Sequence, residues 1–127
     1  MPEIKEMHYE KKRLHEILAT DTTPDGYTWE IINGGWLPCA YVKLPSNHPY
    51  CGLDCGAMDV VCHGGLSYDQ QRKDGFWIGW DYGHCDDYCG TDLMIPKDWR
   101  VGGKKWTTQE IIKEIENVIN QLREVKQ

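Results

Sequence analysis

The sequence predicts an α+β fold in a single domain, residues 1–127, with a long C-terminal helix covering a small, twisted, mainly antiparallel sheet of about four strands. Three observations predict this fold. A strong helical period of apolar residues ends the chain, an Asn-Gly-Gly reversal separates two β-type segments, and two further apolar runs are bounded by glycines. The length and the 40% content of hydrophobic residues suit one compact core.

The C-terminal helix is the element that the sequence specifies best. Isoleucine, valine and leucine recur at helical spacing from residue 111 to residue 125 and form one apolar stripe. Thr107 and Glu110 match a capping box, in which each side chain accepts a hydrogen bond from the other residue's backbone N–H. The helix should therefore begin at residue 107 or 108.

The N-terminal segment carries a looser helical period, which predicts an N-terminal helix over 3–19. The proline and the Asp-Gly pair in "DTTPDG" predict a turn after this segment, and a strand is expected at 27–32. The turn "NGG" pairs this strand with a second one at 36–44, and Pro38 should push that second strand toward an edge or a bulge.

Two further strands are expected at 58–65 and 75–80, which are rich in β-branched and aromatic residues, while the polar segment 66–74 reads as a linker. Alternation along the second of these strands places Trp77 on one face and Trp80 on the other. The face of Trp77, which also carries Asp81, is the predicted pocket wall. The face of Trp80 is the predicted packing face.

The charge excludes some classes of partner. A formal net charge of −6 argues against a track for DNA or RNA, because such proteins present basic surfaces. A small anionic ligand needs only one or two cations, and the chain has Arg13, Arg72, Arg100 and Arg123. No secretion signal or apolar span stands out, so a cytosolic protein without a membrane partner is expected, with its six cysteines as reduced thiols or metal ligands.

Residues 76–90, "FWIGWDYGHCDDYCG", combine aromatic, acidic, histidine and cysteine side chains. A ligand pocket, a metal centre and a packed core are all consistent with them. In a pocket, the aromatic rings would stack on a flat ligand, glycines would let the backbone approach it, and a cation near the C-terminal helix would take a phosphate. The predicted ligand-binding residues are His63, Gly64, Gly65, Tyr68, Trp77, Asp81, His84, Asp87 and Arg100. The plainer alternative is that the glycines serve only a tight turn and the histidines are satisfied core residues.

Zinc is the cofactor that the histidine, aspartate and cysteine side chains would suit. The candidate ligands are His48, His63, His84 and Asp87, which would leave a position for a water molecule. A second candidate set is Cys51, Cys55, Cys85 and Cys89. These cysteines form two Cys-x-x-x-Cys pairs, a spacing that a tetrahedral zinc site tolerates but that is not diagnostic of one. No H-E-x-x-H signature supports a metal.

Three stretches together resemble a family of small proteins common in phage and prophage genomes. They are "PCAYVKLPSNHP", "VVCHGGLSY" and "FWIGWDYGHCDD", and the resemblance covers about residues 39 to 87. The family pattern is C-x-Y-V-x-V-P-x-x-H-P, then V-H-G-G-L-T-Y, then W-W-x-G-F-D-x-x-H-x-x-D. Ser67 stands where the family pattern has threonine, and Tyr82 stands where it has cysteine. The four cysteines of the second zinc set lie outside the family pattern, and this weakens the case for a zinc site made of cysteines.

The resemblance implies a phage accessory protein, for which two mechanisms are expected. In the first, the protein binds and sequesters a small nucleotide-derived signal of host antiviral defence in the bacterial cytosol, with a homo-oligomer completing the pocket. In the second, it is a zinc-dependent hydrolase or phosphodiesterase that cleaves such a nucleotide, with Asp81 as general base. A protein–protein inhibitor or structural accessory is a third interpretation. The absence of a local metal signature and the abundance of aromatic and glycine residues favour the first.

Overall fold

A computed structural model describes residues 3–4, 15–34, 37–83, 87–91 and 104–126. Its main sheet has six strands in the order β1-β2-β3-β4-β6-β5, and every neighbouring pair is antiparallel. These strands are β1 (Glu3–Ile4), β2 (Ile17–Thr22), β3 (Thr28–Asn33), β4 (Pro38–Lys43), β5 (Tyr68–Arg72) and β6 (Gly75–Asp81). A separate parallel pair is formed by β7 (Asp87–Thr91) and β8 (Lys104–Trp106), and helix α1 spans Thr108–Arg123. The α+β class is confirmed, with more strands than the four expected.

Helix α1 begins where the sequence predicts. The Thr107 hydroxyl accepts a hydrogen bond from the Glu110 N–H at 3.1 Å, and the Glu110 carboxylate accepts one from the Thr107 N–H at 3.0 Å. Two backbone donors that the helix leaves unpaired are thereby satisfied. The apolar stripe is buried at Ile111, Ile112, Ile115, Val118, Ile119 and Leu122.

The buried side of α1 packs on one face of the main sheet. Alternate residues of the central strands supply that face, including Ile31, Val42, Ile78 and Trp80, which are each at most 1% exposed. Trp77 lies outside this core cluster, on the opposite face of β6. Trp80 therefore lies on the packing face, as predicted, and Trp77 lies on the opposite face, although it does not line the groove described below.

The predicted N-terminal helix over 3–19 is wrong wherever the structure describes that segment. Residues 3–4 form β1, residues 17–19 begin β2, and residues 15–16 precede β2 without helical structure, while 5–14 lie outside the described residues. A bulge between Ile17 and Ala19 buries Leu18 and Ala19 in succession, at 1% exposure each. Two consecutive buried residues break the alternation of a strand, and this is why the pattern resembled a helical period.

The predicted strand at 58–65 is also wrong, because the segment pairs with no strand and the backbone groups of Val61 and His63 bond to side chains of helix α1. The Gln121 side chain bonds both the N–H and the C=O of Val61 at 2.7 Å, and the Glu114 carboxylate accepts from the His63 N–H at 2.7 Å. Since side chains of α1 satisfy these polar groups, the segment packs against the helix without a ladder.

The hairpin of β3 and β4 is confirmed, with Asn33 opposite Pro38. Pro38 does not mark an edge strand, because it is the first residue of β4, which lies between β3 and β6. The polar segment 66–74 is no linker. It forms β5 and the tight turn that leads into β6.

No helix among the described residues combines the length and the apolar character that a bilayer span requires.

Replacing the N-cap hydroxyl tests the start of α1. Thr107→Ala should lower the free energy of unfolding by about 1 kcal/mol, because the N–H of Glu110 loses its acceptor. Thr107→Ser keeps the hydroxyl and should stay close to the parent protein. Urea unfolding followed by circular dichroism measures both, and equal stability of the two variants would contradict the cap.

Candidate ligand-binding groove

The sheet face that points away from α1, called the outer face below, carries a row of residues in direct register. Glu30 of β3 lies opposite Tyr41 of β4, Tyr41 lies opposite Gly79 of β6, and Gly79 lies opposite Tyr68 of β5. Directly opposed residues on one face interact most strongly in a sheet. This row therefore positions two tyrosines and a carboxylate beside one another.

Gly79 lets the two tyrosines meet across β6. A Cβ atom at this position would lie 2.5 Å from Cδ1 of Tyr41 and 2.8 Å from the carbonyl oxygen of Ala40, which is closer than real contacts allow. With no side chain there, the Tyr41 and Tyr68 rings meet edge to face, with centroids 4.9 Å apart and planes at 75°. Aromatic pairs favour this geometry.

Arg72, at the end of β5, covers these rings. Its guanidinium carbon lies 5.3 Å from the Tyr41 centroid, 5.4 Å from the Tyr68 centroid and 4.5 Å from the Trp77 centroid. Its Nε donates a hydrogen bond to the Tyr68 hydroxyl at 3.1 Å. Cation–π contact with three rings and a hydrogen bond together hold the guanidinium in one place.

The Trp77 ring, which the Arg72 guanidinium contacts, is held in place by a hydrogen bond of its own. Its indole N–H donates to the Asp74 carboxylate at 2.9 Å, across the turn between β5 and β6, and this bond lowers the pKa of Asp74. The Trp77 side chain is only 2% exposed. Trp77 thus fixes Arg72 and has no free face for a ligand.

A groove opens beside the arginine. Its volume is about 330 Å³, near the lower end of the range for ligand sites. It is lined by His15, Ile17, Glu30, Ile32, Tyr41, Tyr68 and Arg72. Apolar walls, two tyrosines and one pair of opposite charges are the chemistry that holds a small amphipathic ligand.

Burial raises the pKa of two of the titratable groups that line the groove, Glu30 and Tyr41. Burial raises the pKa of the Glu30 carboxyl, and the positive charge of Arg72 opposes that rise. Burial, with the neighbouring Cys39, raises the pKa of Tyr41 to about 12. The Tyr41 phenol therefore stays protonated near neutral pH and keeps its O–H group as a donor.

Of the predicted ligand-binding residues, the structure brings Tyr68 and Trp77 together through Arg72. Asp81 lies on the same face, opposite Cys39, and its carboxylate accepts from the Gly83 N–H at 3.0 Å. The structure does not bring His63 to this group, because the His63 ring stacks on Tyr82, on the α1 side of the sheet, with centroids 4.8 Å apart. The expected convergence of His63 with Asp81 on one hollow is therefore not found.

Gly64 and Gly65 follow His63 in a tight turn, closed by a 3.0 Å bond from the Gly65 N–H to the Cys62 carbonyl. Their φ angles of 70° and 81° lie in the left-handed region, which glycine adopts without strain. The turn geometry accounts for both glycines without a ligand.

His48 has a structural role, because its ring forms hydrogen bonds within the fold. Its Nδ1 accepts from the Tyr50 N–H at 3.0 Å, so Nε2 carries the proton and donates to the Leu122 carbonyl at 2.8 Å, near the end of α1. Both ring nitrogens are thus used. The thiols of Cys51 and Cys55 donate to different carbonyls, those of Pro45 and Leu66.

In the described part of the chain, no three histidine, cysteine, aspartate or glutamate side chains come together as metal ligands. His84, Cys85 and Arg100 lie outside the described residues. Asp87 and Cys89 belong to strand β7, but their side chains are outside the described part as well. The roles predicted for these five residues remain predictions.

Sequence reasoning missed Arg72, Glu30 and Tyr41 as groove residues. The signal for Arg72 was the alternation in "YDQQR", which puts Tyr68 and Arg72 on one face once the segment is a strand. Glu30 and Tyr41 follow from the register of the β3–β4 hairpin.

No protein-family model, curated protein or solved structure matches this chain.

Adding a side chain at Gly79 of β6 tests the architecture of the groove. Gly79→Ala should destabilise the protein by roughly 1–3 kcal/mol, because the new methyl group overlaps the Tyr41 ring. Gly56→Ala is the matched control, since a Cβ there meets no atom within 4 Å. Chemical unfolding should separate the two variants, and a Gly79→Ala protein as stable as the control would contradict the contact.

Proposed function

We propose that this protein binds and sequesters a small nucleotide-type molecule in the outer-face groove. The observation that carries the proposal is the Arg72 guanidinium, held against three aromatic rings at the wall of a cavity of about 330 Å³. A fixed guanidinium suits a phosphate, and tyrosine rings beside it suit a flat base.

The contacts that Arg72 makes leave its terminal N–H groups able to bind an anion. Its Nε is used by Tyr68, while Nη1 is 3.8 Å from a Glu30 carboxylate oxygen, which is an ion-pair distance too long for a hydrogen bond. The Arg72 side chain is 33% exposed. Its terminal N–H groups are thus available to bind phosphate oxygens in pairs.

The size and charge of the site narrow the class of ligand. A groove of this volume accommodates about one nucleotide unit, and the net charge of −6 disfavours a long polyanion. We therefore propose a free nucleotide-type molecule as the ligand.

Binding is proposed ahead of the alternative, zinc-dependent hydrolysis of the same ligand. Hydrolysis would depend on metal ligands, and one of the predicted zinc ligands, His48, uses both ring nitrogens in hydrogen bonds within the fold. The resemblance to small phage and prophage proteins supports a role against a host defence signal, which a sequestering protein fulfils by affinity alone.

Removing the guanidinium tests the proposal. Arg72→Gln should raise the Kd for nucleoside monophosphates about tenfold or more in isothermal titration calorimetry, because a charge-assisted hydrogen bond is lost. Lys73→Gln makes the same change of charge at the next, exposed position and should leave the Kd nearly unchanged.

Two outcomes would contradict the proposal. One is equal weakening by the two substitutions, which would indicate a general effect of charge. The other is recovery of a cleaved product, rather than the intact nucleotide, when the complex is heated and its ligand is analysed by mass spectrometry.

A further inference from the structure

Glu30 is the second charged group of the groove, and nothing in the proposed phosphate contact uses it. Its side chain is 19% exposed, and its carboxylate oxygen approaches Arg72 Nη1 at 3.8 Å. In the described part of the chain, no group donates a hydrogen bond to this carboxylate within bonding distance. Burial raises its pKa, because removal from water disfavours the charged carboxylate.

Among the described residues, the Glu30 carboxylate has no hydrogen-bond donor, and the terminal N–H groups of Arg72 have no hydrogen-bond acceptor, while its Nε–H bonds to Tyr68. A ligand that presents a hydroxyl and an anionic oxygen next to each other would satisfy both at once. Ribose offers this combination on neighbouring carbons when its 3′-oxygen carries phosphate and its 2′-hydroxyl is free. A 5′-phosphate is attached through the exocyclic C5′, away from the 2′-hydroxyl, and rotatable bonds separate it from the 3′-hydroxyl, so it does not present a fixed pair.

We propose that the groove selects a ribonucleotide with phosphate on its 3′-oxygen, whose 2′-hydroxyl donates to Glu30 while its phosphate binds Arg72. This class includes 3′-monophosphates, 3′,5′-cyclic phosphates and the ends of 3′–5′ linkages. The inference rests on the proposed function, and it adds the sugar and the position of the phosphate.

The groups around the pair fit such a ligand. The Tyr41 and Tyr68 rings line the groove beside both charges and provide flat surfaces for the base. Ile17 and Ile32 line the same groove and give it apolar walls. Displacing water from such walls strengthens the polar contacts made between them.

Calorimetric titrations with three nucleotides test the selection, each in the adenine and in the guanine series. The nucleoside 3′-monophosphate should bind about tenfold or more tightly than its 2′-deoxy analogue, because a hydrogen bond to a charged group is lost in the analogue. It should also bind more tightly than the 5′-monophosphate.

The Glu30→Gln protein identifies the group responsible. The variant should lose most of the preference for the ribose form over the deoxyribose form, while its affinity for the deoxy analogue changes little. Glu116→Gln removes the same charge from an exposed position on α1 and should keep the preference. A circular dichroism spectrum matching that of the parent protein shows that each variant is folded.

The outcomes separate this inference from the proposed function. If all three nucleotides bind equally and Arg72→Gln weakens all of them, the function stands and the selection for a 3′-phosphate is overturned. The selection is also overturned if Glu30→Gln leaves the ribose preference intact. If no nucleotide binds, or if binding does not depend on Arg72, the proposed function itself fails.

Discussion

The outer face depends on one steric constraint, the close passage of the Tyr41 ring over Gly79. The strand register places a tyrosine on each side of this glycine, and a Cβ atom there would lie 2.5 Å from the Tyr41 ring. Because the position is bare, the two rings meet and form the surface on which Arg72 lies. The charged pair therefore follows from the pairing of β3, β4, β6 and β5, which places Glu30 and Arg72 on the same face beside these rings.

The two faces of the sheet use their polar residues differently. On the α1 side, side chains of the helix form hydrogen bonds with the backbone of Val61 and His63, and the His63 ring stacks on Tyr82. On the outer face, Glu30 and Arg72 approach each other without a hydrogen bond. Recognition of a polar ligand requires hydrogen-bonding groups that the fold itself does not use, and this contrast is why we propose the site on the outer face.

The sequence predicts the elements whose signals are local, and it fails where tertiary contacts decide. The capping box at Thr107, the β3–β4 hairpin and the two faces of β6 all follow from neighbouring residues. The helix over 3–19 fails because a bulge disguises the alternation of β2. The groove is missed because its residues come from four separate strands, and their register across the sheet is not encoded in any one segment.

The most direct test of this account is the nuclear magnetic resonance spectrum of the protein during titration with a ribonucleoside 3′-monophosphate. Binding at the groove predicts that the side-chain Nε–H signal of Arg72 and the backbone N–H signals of Glu30 and Gly79 shift along one saturation curve. The N–H signals of exposed α1 positions such as Asn117 should stay in place. Shifts centred on His63 and Trp106, with the signals of the outer face unchanged, would contradict the account.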